Sequence, residues 1–175
     1  VSTTPLQLAV AYAALANGGT VWVPKVALRI ERPDGKVLRT IDPEAARRLE
    51  VDPENLALVL EGLRRVVNEP GGTAYGKRLR DLEVLGKTGT AQVAKLGEDR
   101  RKSREAGWGL RDHAWFAAIA PAEDPEIAVV VFNEHGGGGS STAAPIAMRV
   151  IQGWHDARVR RAEATPGPIE MAVFD

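Results

Sequence analysis

Val84-Leu85-Gly86-Lys87-Thr88-Gly89-Thr90-Ala91-Gln92-Val93 is rich in residues that suit a pleated, half-buried surface. The run predicts a β-strand. Two further runs predict its neighbours: His113 to Ala120, which stops at Pro121, and Glu126 to Glu134, whose centre Ile127-Ala128-Val129-Val130-Val131-Phe132 is continuously apolar. The short link Ala122-Glu123-Asp124-Pro125 makes the last two an antiparallel hairpin. Lys95 to Asp112, with six basic and four acidic residues, reads as a solvated loop between the first and second strands.

Helical signals flank these strands. Thr4-Pro5-Leu6-Gln7 combines a capping threonine, a proline suited to the first turn and a glutamine at capping-box spacing. The Ala-rich segment after it ends at Asn17-Gly18-Gly19. Val21 to Glu31 and Lys36 to Ile41, joined by Arg32-Pro33-Asp34-Gly35, read as a hairpin. Asp42-Pro43-Glu44 is expected to cap a short helix. Asp52-Pro53-Glu54 opens a longer one, with Leu56, Val59, Leu60, Leu63, Val66 and Val67 on one face and Pro70-Gly71-Gly72 as its end. A last helix is expected from about Ala143 to His155, capped by Ser141 or Thr142, with Ile146, Val150, Ile151 and Trp154 as its apolar stripe. The segment 156–175, with Thr165-Pro166-Gly167-Pro168, reads as a loose tail. Helices, then an antiparallel sheet, then a closing helix make the fold class α+β.

The chain's 175 residues suffice for one domain with a core. Its 23 basic and 23 acidic residues cancel, which disfavours a nucleic-acid partner. The absence of cysteine excludes disulfides and thiolate metal sites. The apolar run Leu6 to Ala16 is too short to span a bilayer, which takes roughly 20 residues. The chain opens on Val1-Ser2-Thr3-Thr4-Pro5, without a basic leader or a Met, and reads as a cut or processed end.

Lys87-Thr88-Gly89-Thr90 carries the chemistry. A chance match in a chain of this length has odds of about one in a few hundred, so a surface strand with two threonines is a competing reading. Alternation puts Thr88 and Thr90 on one face, where two hydroxyls suit a carboxylate. Lys87 adds positive charge close by. Gly89 leaves room for another backbone or a nucleophile to approach. At a sheet edge the strand's free N–H and C=O groups can pair with an extended peptide, and one N–H can serve as an oxyanion donor.

K-T-G is also a recognised signature of β-lactamases and penicillin-binding proteins. Around it the chain resembles the class B penicillin-binding proteins. Thr4-Pro5-Leu6-Gln7-Leu8-Ala9 with Ala16-Asn17-Gly18-Gly19 is similar to the helix after their second active-site motif, and Gly86 to Val93 is similar to their third motif. Asp112-His113-Ala114-Trp115-Phe116, Ala120-Pro121 and Pro125-Glu126-Ile127-Ala128-Val129 resemble the next two strands. Gly136 to Ile146 resembles the glycine-rich turn and terminal helix. The likeness covers residues 1–155. It is nearest to the elongation-type enzymes, penicillin-binding protein 2, with the division type second.

The resemblance implies the C-terminal part of a serine-type D,D-transpeptidase domain, which joins peptidoglycan by acyl transfer from D-Ala-D-Ala stem peptides and is acylated by β-lactams. It implies that Lys87 tunes a serine and favours the anionic substrate end. Thr88, Gly89 and Thr90 would hold the substrate, and the Thr90 N–H would be half of the oxyanion hole. No cofactor is implied. The implied partners are stem peptide, β-lactams, the preceding part of the same domain and a glycan polymerase of the elongation machinery. The implied location is the periplasmic side of the inner membrane. The loop after the tetrad would overhang the site mouth.

The family also needs Ser-x-x-Lys and Ser-x-Asn. Three residues after Ser2, Ser103, Ser140 and Ser141 stand Pro5, Ala106, Ala143 and Ala144. Two residues after them stand Thr4, Glu105, Thr142 and Ala143. The nucleophile is therefore expected in a part of the domain outside this sequence, and this chain alone is expected to be inactive. Rival readings are a β-lactam-sensing module of the same fold and a structural domain in which the tetrad is incidental. His113 reads as a structural or substrate-edge residue rather than a base, His135 and His155 as surface residues, Trp115 as core, and Gly136 to Gly139 as a flexible turn rather than an anion nest.

Overall fold

The computed structural model describes residues 2–93 and 107–164. The first helix, α1 (Pro5–Ala16), starts as its sequence requires: Thr4 Oγ1 accepts the Gln7 N–H at 3.2 Å, and Gln7 Oε1 accepts the Thr4 N–H at 2.9 Å. Such a cap stabilises a helix by about 1 kcal/mol. Gly18 and Gly19 then take positive φ, and the Gly19 N–H returns to the Ala14 carbonyl to end the helix.

Residues 20–48 depart from the expected pattern. Strands β1 (Thr20–Trp22), β2 (Arg29–Glu31), β3 (Val37–Thr40) and β4 (Ala45–Arg48) form two separate ribbons, β1 with β4 and β2 with β3. The run Val21 to Glu31 is thus not one strand. Pro24 has no N–H to give a ladder, and the chain leaves β1 there. The short helix expected after Asp42-Pro43-Glu44 is instead β4. Four residues are too few to nucleate a helix without support. The β1 ladder offers Ala45–Arg48 immediate partners, and it is extended by Val23 N–H to Glu44 O and Leu49 N–H to Gly19 O.

Helix α2 (Pro53–Asn68) is capped by Asp52, which accepts from the N–H groups of Glu54 and Asn55. Of its expected face, Leu63 and Val67 are buried and Leu60 and Val66 partly so, while Val59 is exposed. Strands β5 (Leu85–Ala91), β6 (His113–Ala120) and β7 (Ile127–Asn133) form one antiparallel sheet in that order, within two residues of the expected bounds.

The two faces of this sheet bury different elements. Ala114, Phe116, Ala118 and Ala120 point toward the last helix, α3 (Ala144–Ala164), and pack with Ala144, Ala147, Met148, Ile151 and the α2 residue Val67. Leu85 and Ile119, on the opposite face, meet Leu63 with Tyr12 and Ala16 of α1. Gly86 makes the α2 contact possible, because a Cβ there would lie 2.6 Å from the Phe116 ring and 3.0 Å from Val67.

α3 corrects three expectations. It runs to Ala164, so 156–164 is helix rather than tail, and Arg158 pairs with Glu126 beside β7. Val150, expected in its apolar stripe, is exposed; the buried side chains are Ala144, Ala147, Met148 and Ile151. Ser141 and Thr142 do not cap it. Their hydroxyls donate back to the Gly138 carbonyl at 3.0 and 2.8 Å, because the chain already turns in a π-helical turn over Gly139–Ala143. Residues 94–106, which hold most of the expected charged loop, and 165–175 lie outside the described residues.

Candidate active site on an edge strand

Among the described residues β5 is paired on one side only, by β6, and so lies at an edge of the sheet. Alternate N–H and C=O groups along its other side therefore face away from the sheet. Strand alternation places Thr88 and Thr90 together, opposite Phe116 and Ala114, on the α3 face. Lys87 and Gly89 stand opposite Ala117 and Trp115 on the α1 face. A ligand lying along the free edge in the plane of the sheet can meet both sets, which a ligand on either face cannot.

Lys87 is exposed, and its ammonium donates to the Thr88 carbonyl at 2.8 Å. That contact curls the side chain back to the strand backbone. An ammonium has three protons, so two remain for a ligand. The Thr88 hydroxyl lies 3.0 Å from that of Thr73, in the turn after α2. Sequence reading missed Thr73; its distance in sequence from the tetrad hides a contact that only folding creates.

Gly89 is approached closely from both sides, by residues of this chain. A Cβ on it would lie 3.1 Å from the Cβ of Trp115. Over the other face, a Cβ on buried Gly139 would lie 2.5 Å from the carbonyl oxygens of both Gly89 and Trp115. The glycine run is thus more than a loose turn: it seats the turn before α3 directly on the Gly89–Trp115 pair.

Beside the site lies an unforeseen ring cluster. His113 pairs with Ala91 at the end of β5, and its Nδ1 accepts the His135 N–H at 2.9 Å. His135, at a φ of 52°, packs edge-on against Trp108 at 4.5 Å and tilted against His113 at 4.6 Å between ring centroids. An Nδ1 that accepts a hydrogen bond carries no proton, so His113 presents N–H at Nε2. The bond ties the β7 turn to the start of β6. His135 is half-buried rather than a plain surface residue. Trp115 packs against Phe132 at 4.6 Å and is only half-buried. His155 stands apart, 3.9 Å from Asp156. Among the described residues no group of three or more metal-ligating side chains gathers.

A cavity of about 750 Å³ lies elsewhere, between α1, β1, β4 and the start of α2, and is lined mainly by apolar side chains such as Leu6, Val10, Leu15, Trp22 and Leu56. No β5 residue lines it. It is an open groove, mainly apolar, with Ser2, Thr3, Gln7, Tyr12 and Arg47 also in its lining.

The fold is α+β, and a lysine, two threonines and a close-packed glycine lie along one edge of its three-stranded sheet. The chain belongs to the penicillin binding protein transpeptidase domain family, whose pattern matches residues 1–152. It is 36% identical over 97% of its length to the peptidoglycan D,D-transpeptidase MrdA of Haemophilus influenzae, and 33% identical over 86% to PbpA of Mycolicibacterium smegmatis. It spans 26% and 29% of those two proteins. Among solved structures it resembles penicillin-binding protein 2 of Pseudomonas aeruginosa in complex with WCK 5153, at a TM-score of 0.68 and 37% identity, over 87% of this chain and 30% of that one. The penicillin G acyl-enzyme of penicillin-binding protein A from Mycobacterium tuberculosis is similar at a TM-score of 0.62 and 29% identity, over 91% of this chain and 32% of that one.

Proposed function

We propose that this chain forms the substrate-holding wall of a serine-type peptidoglycan D,D-transpeptidase of the elongation type. The observation that carries the reading is the edge strand itself: Lys87 curled onto the strand backbone, and Thr88 and Thr90 sharing one face. A stem peptide ending in D-Ala-D-Ala, or a β-lactam in its place, pairs along the edge. The hydroxyls of Thr88 and Thr90 bind its carboxylate. Lys87 supplies positive charge and holds the serine of the second motif. The Thr90 N–H donates to the oxyanion that forms when the acyl carbonyl is attacked. Gly89 lets Trp115 and the turn at Gly139 pack closely on the strand that holds the substrate. No cofactor or metal enters this chemistry.

The chain spans about a quarter of its curated relatives and lacks Ser-x-x-Lys and Ser-x-Asn among its 175 residues. The attacking serine and its lysine are therefore contributed by residues outside this sequence. An activated nucleophile requires both within hydrogen-bond reach. Residues 1–155 hold this part of the transpeptidase domain. The protein works on the periplasmic side of the inner membrane, beside a glycan polymerase. No described helix is long and apolar enough to cross a membrane.

Fluorescent penicillin tests the reading. The complete protein is expected to take a covalent label and the 175-residue chain alone none. Lys87→Ala in the complete protein should slow labelling at least about a hundredfold, the lower end of what a positioned proton-handling group supplies. Labelling without cross-linking of stem peptides would favour a sensor instead. Full labelling of Lys87→Ala would remove the lysine from the mechanism.

A further inference from the structure

Thr73 lies 14 residues before the tetrad, at Lys87, yet its hydroxyl is the one the structure places 3.0 Å from Thr88 Oγ1. The turn that carries it is held on both sides. Before it, the Gly72 N–H donates to Glu69 O at 3.0 Å, and any side chain at Gly72 would overlap the carbonyl oxygens of Arg65 and Val66. After it, Ala74 is 1% exposed, packs with Val84 in the core, and donates its N–H to Val66 O at 3.0 Å. The backbone of Thr73 is thus anchored to α2 within one residue on either side. A β-branched side chain adds stiffness at χ1. Thr73 itself is exposed and Thr88 half-buried, so the pair opens to solvent at the edge of the site.

A hydroxyl has one proton to give and lone pairs to accept. To bind a carboxylate, Thr88 must spend its proton on the anion, which leaves its oxygen free to accept. A neighbour that can donate to that oxygen fixes the direction of the Thr88 proton and polarises it, since hydrogen bonds in a chain strengthen one another. We propose that Thr73 is a positioning residue for the carboxylate-binding hydroxyl of Thr88, donating to it when a carboxylate-bearing substrate or β-lactam occupies the edge of β5. The inference rests on the transpeptidase reading above. The direction is Thr73 O–H to Thr88 Oγ1, then Thr88 O–H to the anion. In the empty site either hydroxyl can be the donor; the anion selects one.

The test compares the complete protein with its Thr73→Val and Thr73→Ser variants. Each is acylated by two probes, penicillin G, which carries the carboxylate, and penicillin G methyl ester, which does not. The measured quantity is the ratio of the two acylation rate constants, which does not depend on how much of each sample is folded. Thr73→Val is expected to slow penicillin G about tenfold, the factor one net hydrogen bond supplies, while leaving the ester within about twofold. Thr73→Ser keeps the hydroxyl and should restore the ratio. Equal slowing of both probes would make Thr73 a turn-packing residue and overturn the proposal. So would an unchanged ratio in Thr73→Val, or a serine variant that does not rescue. If the parent protein is acylated by neither probe, the transpeptidase reading falls first and takes this inference with it; acylation of the parent with a flat ratio defeats this inference alone.

Discussion

Gly139 and Gly138 are adjacent, yet the fold asks different things of them. A methyl group on Gly139 would sit 2.5 Å from two carbonyl oxygens, those of Gly89 and Trp115, and backbone cannot swing aside as a side chain can. On Gly138 it would meet only the Ser141 hydroxyl, at 3.0 Å. Gly139→Ala is therefore expected to destabilise the complete protein by about 1–3 kcal/mol, the usual cost of overpacking, and to slow β-lactam acylation by displacing the turn that rests on β5. Gly138→Ala should be close to neutral. Thermal melts and penicillin labelling of the two variants check this; equal melting temperatures would mean the turn has slack there. At this scale the tetrad was legible from the sequence, because its residue types and spacing are local. Thr73 and Gly139 were not, because what makes them matter is a partner far along the chain.

At the scale of elements, α2 joins the site to the body of the domain. Its C-terminal half packs Val67 against Phe116, and Asn68 donates to the Val84 carbonyl at 2.9 Å, immediately before β5. An ionic cluster lies on its polar side. The Glu61 carboxylate accepts from Arg64 at 2.8 and 3.1 Å and from Arg65 at 2.9 Å, and Arg64 also bonds Glu69 at 2.6 Å. The Arg64 hydrogen bonds first, then that of Arg65, hold the Glu61 pKa down to about 2 from an ordinary 4.5, while Glu61 in turn raises that of Arg64. A carboxylate whose folded pKa is depressed contributes stability above its unfolded value and loses it as pH falls through the folded one. The contribution of Glu61 is thus complete above about pH 4.5 and gone below about pH 2. Carboxyl NMR should place its midpoint near 2, and Arg64→Ala should move it upward; a midpoint near 4.5 in the parent would dissolve the cluster. Elements with strong local signals, α1 and its capping box, α2 and the three sheet strands, were legible in sequence. The ribbon β1–β4 was not, since Ala45–Arg48 has no strand preference of its own and takes that form from a ladder with residues 20–22.

Across the whole molecule, apolar surface is left uncovered on the α1 side. Leu6 is 58% exposed on the first turn of α1, and the cavity between α1, β1 and β4 is walled by aliphatic side chains. Val26, Leu28, Ile30, Val37 and Leu38 are also exposed on or beside the β2–β3 ribbon, and a two-stranded ribbon is at best marginal by itself. The 175-residue chain produced alone is expected to bind a hydrophobic dye, to associate, and to melt without a cooperative transition. A sharp melt with little dye binding would contradict this.

The sequence by itself determined the family, the α+β class, the three strands in order and the tetrad on the first of them. Each of these is written in periodicity, capping chemistry and a motif of contiguous residues, which need no knowledge of distant partners. Only the tertiary structure decided that β5 is an edge among the described residues, that its lysine and threonines lie along that edge on opposite faces, that Thr73 reaches Thr88, and that Gly139 closes over Gly89. Those facts depend on which strand has a neighbour and on contacts between segments 15 to 50 residues apart, and such contacts leave no trace in local residue preference.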